Sequence, residues 1–518
     1  MPTAPRRILW IDDEVELFEP HLIFLRQRGY QVDVTTNGDD ALELARRSKY
    51  DLVLLDEQMP GKRGLDVLAD LRRVEPDARV VMVTKSEEDR TMVEAIGRRV
   101  DEYLVKPASP RQVLSVVTRL LEGAQLQQQR AAQDFAARFG ELARQVEDAA
   151  DWQGFFAAYE ELVRWELRLQ DAGEGGLADS VQAQLVDLRR NFGRYVARSY
   201  GTWTARRQKD RPTLSVDIVA RYLAPLLDGG GPVLFMVIDC MRLDQWRVMR
   251  PLLGSAFDVE EELYASILPT ATPFSRNAIF SGKYPDALAR ERPEWWAQEE
   301  GSLNAFEDEL LRAQLRSLGH ERSVHYEKVF SDADADALLG RVRGAFRQGS
   351  VVAAVFNFVD MLTHGRSESA ILMEVARDVP ALRALTRQWF EQSSALRVIR
   401  EAAAEGVSVV VTSDHGSILC QTPTTIYARR DATANLRYKY GLDLRAEEPD
   451  AVYSVRDETE LRFPPARPAT NYLLALEDRF FVYPTKLREY QNRYRGSFLH
   501  GGVSPEEMIL PVATLRPR

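Results

Sequence analysis

Three apolar runs in the second half of the chain, PVLFMVID (232–239), VVAAVFNFVD (351–360) and VSVVVTSD (407–414), each finish in an aspartate. Runs this apolar read as strands buried on both faces of a parallel sheet. A carboxylate is driven out of such a core unless it is paired or bound to a metal. One sheet with three acidic strand ends therefore has to gather its acids where open α/β folds assemble their sites, beyond the carboxyl ends of the strands. In VVVTSDHGS (409–417) the aspartate, Asp414, is followed at once by His415 and a glycine.

The same rhythm, on a smaller scale, opens the chain. RILWID, QVDVTT, DLVLLD, RVVMVT and DEYLVKP alternate with amphipathic helical stretches up to residue 122. Residues 123–207 carry helical spacing of Leu, Phe, Val and Trp without strand signals, and read as a helical bundle linker. Residues 208–518 form the larger α/β unit, with an Arg- and Tyr-rich insertion after about residue 427 that rejoins the sheet at EMILPVATL. The expected fold class is thus α/β: a doubly wound domain, a helical linker, and a second, larger α/β domain. A length of 518 residues is too great for one core.

With 68 basic and 78 acidic residues the formal charge is −10, which argues against a duplex-DNA binder needing a broad cationic face. The two cysteines, Cys240 and Cys420, make no CxxC pair, so any metal must be held by Asp, Glu and His; Cys240 reads as a small buried residue. The first apolar stretch is too short for a signal peptide, and no run approaches the ~20 residues of a spanning helix. The expectation is a cytoplasmic protein with no membrane partner.

In the first unit Asp12 and Asp13 close one strand and Asp56 another, Thr84 ends the fourth, and Lys106 follows the fifth. Clustered carboxylates of this kind hold Mg²⁺, and one of them can accept a phosphoryl group while Lys and a hydroxyl balance the added charge. With IDDE, LLDEQMPGKRGLDVL, VMVTKS and YLVKP in this order, the segment resembles the receiver domain of two-component response regulators. The resemblance implies Asp56 as phosphoacceptor. It implies Mg²⁺ on Asp13, Asp56 and the Gln58 carbonyl, with Asp12 acting through water. Thr84 and Lys106 would sense the phosphoryl group, Tyr103 would be the aromatic reporter, and a sensor histidine kinase would be the donor.

In the large unit Asp239, Asp360 with His364 four residues on, Asp414 with His415, and His500 in SFLHGG supply carboxylate and imidazole donors. That set suits Zn²⁺, with Mn²⁺ or Fe²⁺ as alternatives. Counting one hydroxyl there are enough donors for two ions and an open position. LPTATPFSRNAIFSG offers the hydroxyl: Thr272 fits a helix N-cap with Pro273 at the first turn, and Thr270 competes for the role. The order Asp, Thr, Asp-x-x-x-His, Asp-His, His resembles the alkaline phosphatase superfamily, most closely its PglZ branch. That likeness implies two Zn²⁺ ions, one among Asp239, Thr272, Asp414 and His415, the other held by Asp360, His364 and His500. It implies Thr272 as nucleophile, with a phospho-threonine intermediate hydrolysed by water. A sulfatase would need Cys or Ser and a different proline spacing. Thr favours a phosphodiester over a phosphomonoester, no clamping arginine being assigned beyond a weak candidate in Arg276, and Asn277 is a candidate donor to a phosphoryl oxygen.

Tyr interleaved with Arg and Lys in NLRYKYG and YPTKLREYQNRYRG suits stacking on bases and tracking a phosphodiester chain, which suggests cyclic or short linear oligonucleotides. An Arg-rich surface that packs its own tyrosines is the alternative. As a whole the chain resembles PorX-type response regulators, which are associated with control of type IX secretion, a sensor kinase and an extracytoplasmic-function sigma factor. Phosphorylation at Asp56 is expected to drive homodimerisation. The competing reading is an adaptor whose metal module binds a partner, such as that sigma factor, without catalysis.

Overall fold

The computed structural model describes residues 6–74, 78–84, 100–205, 210–296, 304–366, 370–429, 435–464 and 470–518. Near the N-terminus, strands β1 (Arg7–Ile11), β2 (Gln31–Thr35), β3 (Leu52–Asp56), β4 (Arg79–Thr84) and β5 (Glu102–Val105) form a parallel sheet in the order β2-β1-β3-β4-β5. Alternation within each strand feeds two separate cores. Ile8, Trp10, Leu52, Leu54, Val81 and Val83 face one layer of helices, and Leu9, Ile11, Val53, Leu55, Val80 and Met82 the other. A strand apolar on both faces is therefore what a doubly wound sheet demands.

The helix after β5 runs unbroken from Pro110 to Glu147, through the expected boundary at 122–123. Only Gly123 interrupts its pattern there, and one glycine in a helix costs about 1 kcal/mol, too little to end it. Helices Trp152–Asp171 and Gly175–Thr204 follow. Phe155, Phe156, Tyr159, Leu162, Leu188, Phe192 and Val196 are buried on their apolar stripes. Residues Phe135–Gln170 and Gly175–Arg518 make one compact unit.

The large sheet contains β6 (Val233–Ile238), β7 (Phe257–Ala265), β8 (Val324–Val329), β9 (Val351–Phe356), β10 (Ser408–Thr412) and the C-terminal strand Ile509–Pro517. From edge to edge the order is β7, the C-terminal strand, β10, β6, β9, β8. β10, β6, β9 and β8 are parallel, and the C-terminal strand is antiparallel to both of its neighbours. β7 consequently points the same way as β10. Leu234, Met236 and Ile238 pack into one helical layer and Val233, Phe235 and Val237 into the other.

That topology places the chemistry. Asp239, Asp360 and Asp414 follow β6, β9 and β10, three adjacent strands, at one edge of the sheet. Thr272 follows β7 at the same edge, and His500 precedes the returning C-terminal strand there. Among the described residues no helix is long and apolar enough to cross a membrane.

The insertion after about residue 427 closes on a buried ion pair, Arg437 with Glu507, both wholly inaccessible to solvent and 2.6 Å apart. Removing one partner strands the other charge in the core, which costs on the order of 3 kcal/mol. Arg437→Ala is thus expected to lower the denaturant midpoint sharply. The double change Arg437→Met with Glu507→Leu should recover much of the loss, and an unchanged midpoint for the single variant would contradict the account.

Candidate metal centre and phosphoacceptor site

At the carboxyl edge of the small sheet, donor atoms of Asp12, Asp13 and Asp56 lie within 4.8 Å of one another. Lys106 reaches both Asp12 and Asp56, its Nζ at 2.8 and 2.9 Å. Burial raises the Asp56 pKa even though Lys106 opposes the shift. Burial also works against the Lys106 charge, but the two carboxylates outweigh it and leave that pKa raised. An acid held in this way is poised for a cation or a phosphoryl group to complete its balance. The Gln58 backbone N–H points at Asp56 Oδ1 from 3.5 Å, and Tyr103 is half-buried on β5. β4 ends at Thr84 as expected, but the Thr84 side chain lies outside the described residues.

At the edge of the large sheet the chain brings together all seven residues singled out from sequence. Asp239, Asp414 and His415 form one cluster of donor atoms within 4.8 Å, and Asp360, His415 and His500 another. His364, on the helix Phe358–Arg366 four residues after Asp360, sets its Nε2 3.0 Å from that of His500. Its side chain is 56% exposed, which puts it at the mouth of the site. His415 stands between the clusters, its ring stacked on His500 with centroids 4.1 Å apart.

The backbone fixes the imidazoles. His415 Nδ1–H donates to the Gly416 carbonyl at 3.1 Å and His500 Nδ1–H to the Thr270 carbonyl at 3.2 Å. Each ring is thereby held as the tautomer that turns an Nε2 lone pair into the site. Burial, reinforced by the neighbouring His415 and His364 rings, pushes the His500 pKa far below its ordinary value.

The carboxylates tell the same story. Asp239 Oδ1, Asp360 Oδ1 and Asp414 Oδ2 are buried without a hydrogen-bond partner. They face His415 Nε2 from Asp239 at 3.7 Å and from Asp414 at 3.8 Å, while Asp360 faces His364 at 3.4 Å and His500 at 3.7 Å. Those gaps are long for hydrogen bonds. They match two ligands sharing one tetrahedral ion, whose donor atoms sit roughly 3.4 Å apart. Burial raises Asp239 well above the carboxylate range, and Asp414 and Asp360 add to the shift against the pull of Arg276. Burial also works to raise Asp360, but His364, His500 and His415 outweigh it and hold its carboxyl well below that range. Orphaned oxygens, preset imidazoles and an O/N donor set fit a pair of divalent cations of the zinc type.

Thr272 corrects one local expectation. It is the first residue of the helix Thr272–Ser281, not its cap; Ala271 holds the cap position and offers no side-chain bond. The hydroxyl, released from capping, lies 3.0 Å from His415 Nε2. The competitor Thr270 is wholly buried, donating to the Gly502 carbonyl at 2.8 Å and accepting from the Gly501 N–H at 3.1 Å.

Asn277 Nδ2 donates one hydrogen to the Pro273 carbonyl at 3.0 Å and its Oδ1 accepts from Asn304 at 3.1 Å, so its amide ties the helix start together. Arg276, weakly considered as a phosphate clamp, is buried behind the carboxylates. Its Nη1 meets Asp239 Oδ2 at 2.5 Å and its Nε meets Glu307 at 2.7 Å. Glu307, with Tyr326 and Lys328 bonded to it, went unread in the sequence because nothing in its own surroundings marks it. Cys240 is buried, as expected, but takes a positive φ of 64°, a strained turn straight after Asp239 that sequence gave no sign of.

Three of the basic and aromatic residues of NLRYKYG are core, whereas Arg488, Arg493 and Arg495 of the second stretch, YPTKLREYQNRYRG, are exposed. Arg437, Tyr438 and Lys439 are all buried, Arg437 on Glu507 and Lys439 over the Tyr483 ring. Tyr490 and Tyr494 pack against the cluster of Ile418, Phe480 and Val482.

The chain matches family models in three consecutive stretches. Residues 8–118 match the response regulator receiver domain, 125–204 the PorX response regulator linker domain, and 218–515 the BREX system PglZ alkaline phosphatase-like domain. Among curated proteins, the transcriptional regulatory protein ResD of Bacillus subtilis is 34% identical over 122 residues, covering 24% of this chain and 50% of ResD. BaeR of Escherichia coli is 38% identical over 130 residues, 25% of this chain and 53% of that protein. The chain spans about half the length of these relatives. The solved structure of the response regulator TrrA of Thermotoga maritima is 34% identical and covers 22% of this chain and 99% of its own, with a TM-score of 0.21.

Proposed function

The chain belongs to the PglZ alkaline phosphatase-like family, in the receiver–linker–PglZ arrangement of PorX-type response regulators, and from that premise we propose a response regulator whose output is phosphodiester hydrolysis with Thr272 as nucleophile. The observation that carries this reading is the set of orphaned carboxylate oxygens facing imidazole Nε2 atoms at 3.4–3.8 Å, with the Thr272 hydroxyl 3.0 Å from one of them. Asp239, Asp414 and His415 would hold one Zn²⁺, beside Thr272, and Asp360, His364 and His500 the other. Bound there, the pair would supply Lewis acidity, lowering the pKa of the attacking hydroxyl and offsetting charge on the phosphoryl oxygens.

The chain's own residues set up the displacement. Thr272 sits at the positive end of a ten-residue helix whose start no side chain caps, which favours an anionic group alongside it. As the Thr272 Oγ–P bond forms, the bond to the leaving alcohol breaks, the alcohol departs with the proton lost by the hydroxyl, and a threonine phosphodiester that keeps the second ester group remains. Water then cleaves that ester, restoring the hydroxyl and releasing a phosphomonoester. Arg276 is held by Asp239 and Glu307 and so is not offered to the extra charge of a monoester dianion. Bis(p-nitrophenyl) phosphate is therefore expected to turn over faster than p-nitrophenyl phosphate; the reverse preference would make the protein a monoesterase.

Asp56 would be the phosphoacceptor, with Mg²⁺ on Asp13, Asp56 and the Gln58 carbonyl and Asp12 acting through water, and Lys106 ready to meet the added charge. A sensor kinase is the donor that a receiver of this kind implies. Acetyl phosphate is expected to add one phosphoryl group to the wild type and none to Asp56→Ala, and to raise the dimer fraction only in the wild type. Identical masses, or identical dimer fractions, would defeat this regulatory reading.

A further inference from the structure

The linker helices do more than separate two domains. On the helix Trp152–Asp171, Glu166 and Gln170 accept from the Arg383 guanidinium at 3.3 and 2.6 Å. Arg383 also bonds Asp244 at 2.9 Å, and Asp244 is gripped twice by Arg242, at 2.8 and 2.7 Å. On the next helix, Arg189 bonds Glu506 at 2.7 Å. Glu166, Asp244, Glu506, Arg242 and Arg383 are buried and Arg189 nearly so, three acids balanced by three arginines.

This network presses on the loops that carry the candidate ligands. Arg242 and Asp244 continue the turn that begins at Asp239. The Met241 N–H, in that turn, donates to Ser413 Oγ at 2.9 Å, next to Asp414. Gly416, beside His415, lies so close that a Cβ would meet the Glu506 carbonyl oxygen at 2.0 Å and Arg242 Cγ at 3.2 Å. Its N–H donates to the Glu507 carbonyl at 3.0 Å, while its own carbonyl takes the His415 Nδ1–H. From Arg189 through Glu506 and Gly416 to the His415 ring, each step is a direct contact.

Building on the metal-site reading, we infer that Glu166 and Arg189 are positioning residues, by which the linker bundle completes the support of that site. Buried ion networks add little net stability, because desolvation offsets their attraction, but they fix geometry. Groups that orient metal ligands typically cost about 10–100-fold in metal affinity when removed. Glu166→Gln and Arg189→Met in the full chain are each expected to weaken zinc binding by about that factor in chelator competition and to alter the visible spectrum of the Co²⁺-loaded protein. Arg189→Lys should restore part of the loss. Should Glu166→Gln fail to fold, Gln170→Met removes one bond to Arg383 without stranding a charge and should give a smaller shift in the same direction. A lowered melting temperature with wild-type zinc affinity and an unchanged cobalt spectrum would overturn the inference and leave the network purely structural. Failure of the metal reading itself looks different, since the wild type would then bind no zinc.

Discussion

Thr272→Ala is expected to reduce hydrolysis of a chromogenic phosphodiester by on the order of 10⁴-fold or more, since it removes the atom proposed to attack phosphorus. The helix Thr272–Ser281 does not need this hydroxyl as a cap, and its one described hydrogen-bond partner is His415. Folding should therefore change little, and a loss of turnover would report on chemistry. Thr272→Ser keeps the oxygen and should keep measurable activity. Thr270→Ser, at a site whose hydroxyl serves the Gly501–Gly502 turn, should behave much like the wild type. Brief incubation with substrate followed by acid quench should leave on Thr272 in the wild type a phosphoryl group that still carries the second ester group of the substrate. If Thr272→Ala turns over at the wild-type rate, the nucleophile lies elsewhere.

Stripping the protein with a chelator is expected to abolish hydrolysis, and zinc to restore it. The expectation follows from charge. Asp239, Asp360 and Asp414 converge with Arg276 as the only cation paired to them among the described residues, and three of their oxygens have no hydrogen-bond partner. Without metal, burial favours a protonated Asp239, and a protonated acid is a poor ligand. Magnesium should restore little, because the site offers imidazole nitrogens where Mg²⁺ prefers oxygen donors. Full activity in the presence of excess chelator, after dialysis, would contradict the proposal.

The site was legible in sequence for a physical reason. An aspartate at the end of an apolar run has no place in a core, so each of Asp239, Asp360 and Asp414 announced itself, with His415 beside Asp414 and His364 four residues from Asp360, while His500 stood apart in SFLHGG. What stayed hidden depends on contacts distant along the chain. Arg276 and Glu307 lie 31 residues apart and meet only because two helices pack beside β8. Arg437 and Lys439 read as surface cations, since sequence cannot tell that Glu507 and Tyr483 await them inside. Residues on both sides of 122 read as helical, but their continuity in one helix, Pro110–Glu147, was hidden by the lapse of the apolar spacing around Gly123 and the glutamine-rich stretch after it. The cap at Ala271 was misplaced by one residue, a normal uncertainty at a helix end, though here it leaves the Thr272 hydroxyl free of capping.

Elemental analysis of the purified full chain tests the central claim most directly. The wild type should carry about two zinc ions per chain, one for each cluster, and about one in variants that remove either Asp239 or His500, on opposite sides of His415. Zinc at trace levels in the wild type, or an unchanged content in both variants, would contradict the two-ion site on which the proposed hydrolysis depends.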